Sequence, residues 1–283
     1  MAQLVLDEMP RRLFSCTPTK LMTFEDCPRR YRMTYLDRPA PPRGGPWAHT
    51  SLGVSAHNAL HRWWDEPEQR RTPERAARLV RECWVADGFR DDEQSTTARE
   101  LVAEMCASYV AGLDPGDEPR AVERQVATRT QLLALRGRVD RLDERAGELV
   151  VVDYKTGRRP PQEQDARASI ALALYAFATE RMLRQRCRRV ELHHLPSGTV
   201  VSAEHTDESR ARQVRRAESI AADAVAAGER LAAGQPPDVA FPARAGTLCA
   251  WCDLRRHCPE GQAAGPERAP WSGVEQLVAG AAG

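Results

Sequence analysis

An α/β fold with a helical N-terminal part is what this sequence predicts, and two observations carry the prediction. Apolar residues recur at three- and four-residue spacing as far as about residue 112, the period of amphipathic helices. From Arg120 to Asp153 they fall instead in short, β-branched runs, followed by a long apolar helical segment and two more short runs. Helices, strands, helix, strands is the order of one α/β unit, and 283 residues are enough to bury a sizeable core.

Pro/Gly-rich stretches at 39–46, 112–119, 157–161 and 234–246 divide the chain. Thr17 or Thr19 is placed to cap a helix running to about Tyr35, and further helices are expected near 51–65, 73–86 and 96–111. Val122, Val126, Leu133, Leu135, Val139, Leu142 and the run Leu149-Val-Val-Val152 predict three strands, the last two joined by a turn at Glu144–Gly147. A buried helix is expected over Ala168 to about Arg186. Strands Arg189–Leu195 and Val200–His205 follow, turning at Pro196-Ser-Gly198. Asp207 is expected to cap a last helix reaching about Ala233. Trp63, Trp64 and Trp84 lie on helices and are expected to pack inside. Residues 1–12 read as a tail, 260–283 as a disordered tail, and there is no internal repeat.

Composition excludes several classes. Lys+Arg at 41 against Asp+Glu at 40 rules out a polycation, so any nucleic-acid contact must be a local basic surface. Only Lys20 and Lys155 are lysines, leaving 39 arginines, a skew that codon bias explains. The start has no basic n-region before a long apolar run, which predicts no signal peptide. The longest apolar run, Ile170 to Ala178, is about half a membrane span. No G-x-x-x-x-G-K-[ST] occurs, so no P-loop motor is expected. Eight cysteines without a secretory signal predict free thiols or metal ligands in a cytoplasmic protein.

The chemistry concentrates where the predicted strands end. If the chain reverses at Ala146-Gly147, Asp140 of Gly137-Arg-Val-Asp140 falls opposite Asp153 of Val151-Val-Asp153-Tyr-Lys155-Thr-Gly157. Two carboxylates held close are costly unless neutralised, most simply by a divalent cation. Lys155, two residues beyond Asp153, shares its face of a strand. Carboxylates, a hard cation and an ammonium suit phosphodiester hydrolysis. An internal salt bridge of Asp153 or Asp140 with Lys155 is the other reading of these residues. His57, in Gly53-Val-Ser-Ala-His57, lies on the second predicted helix, with His61 one turn further. The pair lacks the glutamate of a zincin motif. Glu123 precedes the first strand core and could approach the metal, with a place at the surface as the default expectation.

Cys249-Ala-Trp-Cys252-Asp-Leu-Arg-Arg-His-Cys258-Pro is C-x₂-C-x₅-C, three soft ligands that suit zinc or an iron–sulfur cluster. A fourth must come from elsewhere, and Cys27 shares the Cys-Pro ending of Cys258-Pro259. Such a bond would close a loop of over two hundred residues and constrain the unfolded chain strongly. His257 is expected to be exposed. Cys16, Cys83, Cys106 and Cys187 read as scattered thiols. Arg29-Arg30-Tyr31-Arg32 and Arg181 to Arg189 are basic clusters that read as solvated faces or as phosphate contacts.

Gly53-x-x-x-His57, Gly137-Arg-Val-Asp140 and Asp153-Tyr-Lys155-Thr-Gly together resemble the motifs of the PD-(D/E)XK nuclease superfamily, in particular its RecB-like exonuclease branch and the related CRISPR adaptation nucleases. The resemblance spans about Phe14 to Pro259. It implies a restriction-endonuclease-like core, a central mixed sheet flanked by helices, with an N-terminal helical insertion. It implies one domain over 13–259, with its helical part about 17–112, its catalytic core about 120–233 and a clasp from residues 27 and 249–258. His57, Asp140, Asp153 and the Tyr154 carbonyl would bind Mg²⁺ or Mn²⁺, and Lys155 would be the catalytic lysine. Many RecB-like members carry one N-terminal cysteine and a C-terminal C-x₂-C-x₅-C that bind a 4Fe–4S cluster. The resemblance thus assigns Cys27, Cys249, Cys252 and Cys258 to such a cluster ahead of zinc. The expected protein is a metal-dependent DNA exonuclease of repair, acting on single strands or ends or with a separate helicase. One departure is Ala171, where the family usually has Gln four residues before the tyrosine of the next helix, here Tyr175. Ala171 favours the rival reading of a non-catalytic Fe–S DNA-binding or scaffold subunit of a helicase–nuclease complex. A CRISPR adaptation nuclease is a further alternative.

Overall fold

The computed structural model describes residues 13–275. A mixed six-stranded sheet is built on one long strand, β3 (Leu133–Arg145). Strand β2 (Ala121–Arg129) runs antiparallel along β3 from Ala134 to Leu142. The short β1 (Phe14–Cys16) pairs parallel with Leu133–Leu135, and β4 (Glu148–Lys155) pairs antiparallel with Arg141–Arg145. A strand has only two edges. Ala134 and Leu135 pair with both β1 and β2, while Arg141 and Leu142 pair with both β2 and β4. So β1 and β4 share the edge of β3 opposite β2, and Arg136–Asp140 is left open between them. Beyond β4 lie the parallel β5 (Arg189–His194) and the antiparallel β6 (Thr199–Glu204).

The β3–β4 turn is tighter than its Ala-Gly sequence suggests. Ala146 and Gly147 both have positive φ, 50° and 80°, as a two-residue hairpin loop requires. Pairing runs from Arg145↔Glu148 to Arg141↔Val152, so the next rung would join Asp140 to Asp153, as expected. There the strands part.

Helices cover both faces. On one side are α1 (Pro18–Asp26), α2 (Pro28–Tyr35), α7 (Ile170–Leu183) and α8 (Asp207–Ala232). Their core joins Leu21, Tyr31, Leu174 and Ile220 to Leu133, Leu135, Leu149 and Val151. On the other are α3 (Ala48–Trp64), α4 (Pro73–Glu82) and α5 (Asp92–Ala111), packed by Leu52, Trp63, Leu79 and Val102 against Val150, Val152 and Tyr154. Alternate residues of Leu149-Val-Val-Val152 thus serve opposite cores, which is why that strand reads as a continuous apolar run. The shorter α6 (Glu163–Ala168), α9 (Pro237–Ala240) and α10 (Pro259–Ala263) lie in connections. No described helix is long and apolar enough to cross a membrane.

The mixed α/β class is as expected; several elements differ. The helix expected to reach Tyr35 breaks at Cys27, which is extended (φ −160°), because Pro28 disfavours helical backbone before it. Thr17 is its cap, accepting from Lys20 N–H at 3.1 Å. The helix expected from Ala168 begins at Ile170, capped by the Ser169 hydroxyl. Thr206 rather than Asp207 caps α8, and Asp207 instead pairs with Arg188 and Arg210. β1 is too short to leave a periodic signal. Of the tail expected over 260–283, the stretch to Glu275 is placed. Val274 is fully buried on the α3 side, and Ala48 N–H donates to the Pro270 carbonyl at 3.1 Å. Residues 1–12 and 276–283, also read as tails, lie outside the described residues. Arg29 and Arg32 are no solvated face: at 4% and 7% exposed, they pair with Asp238, Glu260 and Asp37.

Candidate active site

Where β3 and β4 part, the Asp140 carboxylate takes the place of the missing ladder partner. Its Oδ2 accepts the Tyr154 backbone N–H at 2.9 Å. His57 on α3 brings Nδ1 to 3.5 Å from the same oxygen. Gly53, one turn earlier, permits this approach, since a Cβ there would lie 3.3 Å from Thr156 Oγ1 just beyond β4. Lys155 Nζ stands 2.5 Å from Asp153 Oδ2. His57 and Asp140 thus meet where the strands part, and Asp153 and Lys155 stand paired beside them on β4.

A residue expected at the surface joins them. Glu123 faces Asp140 across β2–β3, between the rungs Val122↔Arg141 and Arg124↔Val139. Its φ is 49°, and its side chain is 13% exposed. Ligand atoms of His57, Glu123 and Asp140 all lie within 4.8 Å of one another. The β2–β3 connection carries no glycine turn signal, so the register that aligns Glu123 with Asp140 could not be read from the sequence.

The electrostatics are those of an acidic site only partly offset by Lys155, Arg138 and His57. Burial pushes Asp153 up; Lys155 pulls it down and Asp140 adds to the rise, leaving it above the usual carboxylate range. Burial likewise raises Glu123, opposed by Arg138 and aided by Asp140. Burial alone would lower His57, but the Asp140 hydrogen bond and the nearby carboxylates raise it. Asp153 Oδ2 and Glu123 Oε2 are buried, and each is met at contact distance by one cationic side chain. These are Lys155 and Arg138, at 2.5 and 2.7 Å. Carboxylate oxygens with free lone pairs beside an imidazole fit Mg²⁺ or Mn²⁺.

On the far side, the Tyr154 hydroxyl is met by Trp64 Nε1 at 3.3 Å and Arg141 at 3.4 Å, and its ring stands edge-on to His57. A closed polar circuit backs this contact. Arg141 pairs with Asp143, Asp143 with Arg145, Arg145 with Glu191, Glu191 with His193, His193 with the Tyr109 hydroxyl, and Tyr109 with Arg141. Burial would raise Glu191, but His193 and Arg145 hold it down at about 2. On the near side, Tyr175 of α7 covers Gly137, where a Cβ would lie 2.3 Å from Tyr175 Cε1. Ala171 precedes Tyr175 by one turn, so no side-chain amide is offered there.

Far along the chain, Cys27, Cys249, Cys252 and Cys258 line one cavity. Cys27 lies between α1 and α2, and Cys258 caps α10, its Sγ accepting from Gly261 N–H at 3.3 Å. The buried Arg29 guanidinium sits 3.7 Å from Cys258 Sγ. Among the described residues no three of these sulfurs lie within 4.8 Å of one another. Four thiols facing one cavity fit a soft-metal group. His257 is exposed and turned to the Pro42 carbonyl, at 2.9 Å.

No curated protein matches the chain. A protein-family model does, that of the PD-(D/E)XK nuclease superfamily, and it spans residues 15–259, taking in the strand fork, His57, Lys155 and all four clasp cysteines. By that match the chain belongs to the PD-(D/E)XK nuclease superfamily.

Proposed function

We propose that the protein is a metal-dependent DNA nuclease of the RecB-like type, an exonuclease of DNA repair whose ends are clasped by a 4Fe–4S cluster. The observation that carries this reading is the grouping of His57, Glu123 and Asp140 at the strand fork, with the Asp153–Lys155 pair beside it on β4. His57, Glu123, Asp140, Asp153 and the Tyr154 carbonyl would hold Mg²⁺ or Mn²⁺. A divalent cation there would neutralise the carboxylates, bind a phosphate oxygen and acidify a water.

The chain's own groups supply the rest. Lys155 Nζ, on a side chain 49% exposed, can donate to the attacking water or to a phosphate oxygen and offset charge as it develops. Arginine would serve less well, because a planar guanidinium on a longer stem cannot act as a compact point charge. Asp140 is oriented by the Tyr154 N–H, so its free lone pairs face the cleft.

The layout of the cysteines supports iron–sulfur over zinc. Zinc–thiolate bonds of about 2.3 Å would draw four sulfurs to about 3.8 Å of each other. A cubane holds each thiolate on a different iron, and one N-terminal cysteine with a C-terminal C-x₂-C-x₅-C resembles the arrangement of iron–sulfur members of the family. The cluster would fasten α1 and α2 to the C-terminal segment within one domain over 13–259. With no P-loop in the chain, the enzyme acts on single strands or ends, or beside a separate helicase in the cytoplasm.

The test is cleavage of end-labelled single- and double-stranded DNA in Mg²⁺, Mn²⁺ or EDTA, with Asp153→Ala and Lys155→Ala as controls. Wild-type protein as inactive in Mn²⁺ as both variants would sink the reading. That result would favour a scaffold role, for which Ala171 is the supporting feature. Anaerobically purified protein should show an absorbance shoulder near roughly 400 nm from thiolate–iron charge transfer.

A further inference from the structure

We propose that the exposed face of the β2–β3 ribbon is the track along which one strand of DNA lies as it enters the acidic fork. The inference rests on the nuclease reading and extends it to the path of the substrate.

Beyond Glu123 and Asp140, every second rung of the ribbon is Gln125↔Arg138, Ala127↔Arg136 and Arg129↔Ala134. Paired residues of an antiparallel ladder point to the same face, and that face repeats every two residues. Arg136 and Arg138 alternate with the buried Leu135 and Val139, so they point away from the α7 core. Arg138 reaches Glu123 at 2.7 Å, which ties the arginine face to the metal-binding face. Gln125, Ala127, Arg129, Arg136 and Arg138 are all exposed, so no other element among the described residues covers the strip.

Charge selects the occupant. Arg129 and Arg136 have no carboxylate within 4.0 Å among the described residues, and Arg138 meets only Glu123. In a chain whose charges almost cancel, three guanidinium groups in succession facing open solvent form a local anion track. Rungs on one face are about 7 Å apart, so Arg129 lies about 20 Å from the acidic row. The strip is a two-strand ribbon, wide enough for one phosphate backbone. Guanidinium groups standing in one file about 7 Å apart match successive phosphates of one extended strand, and the file ends at the fork where one strand would be cut. The occupant is therefore a single strand, bound mainly through its phosphates.

The test is fluorescence anisotropy with a labelled oligothymidylate of about 20 nucleotides, in EDTA so that no cleavage occurs. Replacing Arg129, Arg136 and Arg138 together by alanine should weaken binding about tenfold at 0.1 M salt. It should flatten the slope of log K against log salt by about 2, since each phosphate contact on a single strand contributes about 0.7. The triple lysine variant should keep the wild-type slope, and Arg215→Ala, an exposed arginine on α8, should change nothing. A hairpin duplex should lose less than about threefold. Unchanged affinity and slope in the triple alanine variant, with its melting temperature intact, would overturn the track; equal losses on duplex and single strand would overturn the single-strand assignment. Failure of the nuclease reading is distinct: DNA would still bind through the arginines, yet no cleavage would follow in Mn²⁺.

Discussion

Asp140, Asp153 and Lys155 meet across a two-residue hairpin loop, whereas Cys27 and Cys249 are brought together from about 220 residues apart. The acidic fork is held by the sheet: a backbone N–H orients Asp140, and a closed, largely buried circuit of ion pairs and hydrogen bonds backs Tyr154. The cysteine clasp is built from short helical turns whose own hydrogen bonds are few, and its four sulfurs surround a cavity. The contrast teaches that one region is organised by the fold, while the other depends on what fills it. Removing a group from the fork should cost function and leave stability; removing one from the clasp should do the reverse.

The largest expected effect is on the fork. Asp153→Ala and Lys155→Ala should each lower the cleavage rate about a thousandfold, measured on end-labelled DNA in Mn²⁺. Their melting temperatures should stay near wild type, because Asp153 is a buried carboxylate held above its ordinary range. A large loss of stability in either variant would erase the distinction between the regions.

Cys252→Ser should destabilise the protein by about 3–5 kcal/mol in urea titrations, since a bound group that closes so long a loop contributes its binding energy to folding. Bound iron, measured by elemental analysis, should fall with it. Activity of the folded fraction at low temperature should remain within about twofold, as the fork does not touch the clasp.

The ring behind Tyr154 provides a pH test. Glu191 is held down from 4.5 to about 2, so its stabilisation is present above its ordinary value and lost as pH falls from about 4.5 to 2. The shift corresponds to about 3 kcal/mol. Glu191→Gln should therefore be less stable than wild type at pH 7 and converge with it near pH 2. A gap that persisted at low pH would mean that packing, not charge, holds the ring.

The smallest effect is at Gly137. Alanine there forces the Tyr175 ring aside and should cost about 1–3 kcal/mol, with Tyr175→Leu relieving part of it. No rescue would show that the glycine serves the strand rather than the ring.

Much of the fork was legible because its parts are local. The β-branched run, the turn and the two-residue period suffice to place Asp140 opposite Asp153 and Lys155 beside it. The C-x₂-C-x₅-C spacing was equally plain. Glu123 was not legible, since its partner depends on a β2–β3 connection without a turn signature. Arg29 and Arg32 were misread as a solvated cluster, because their acidic partners Asp238 and Glu260 lie more than two hundred residues away.

By itself the sequence singled out His57, Asp140, Asp153 and Lys155 as candidates and most of the elements that hold them, because hydrophobic period, capping and turn residues act over a few positions. Only the tertiary structure decided that β1 and β4 share one edge of β3, leaving Arg136–Asp140 open between them. The β2–β3 register, set only in the folded sheet, brought Glu123 opposite Asp140 and lined up the exposed arginines beside it. Strand order is settled by which long-range pairing buries both cores at once, and no local pattern encodes it.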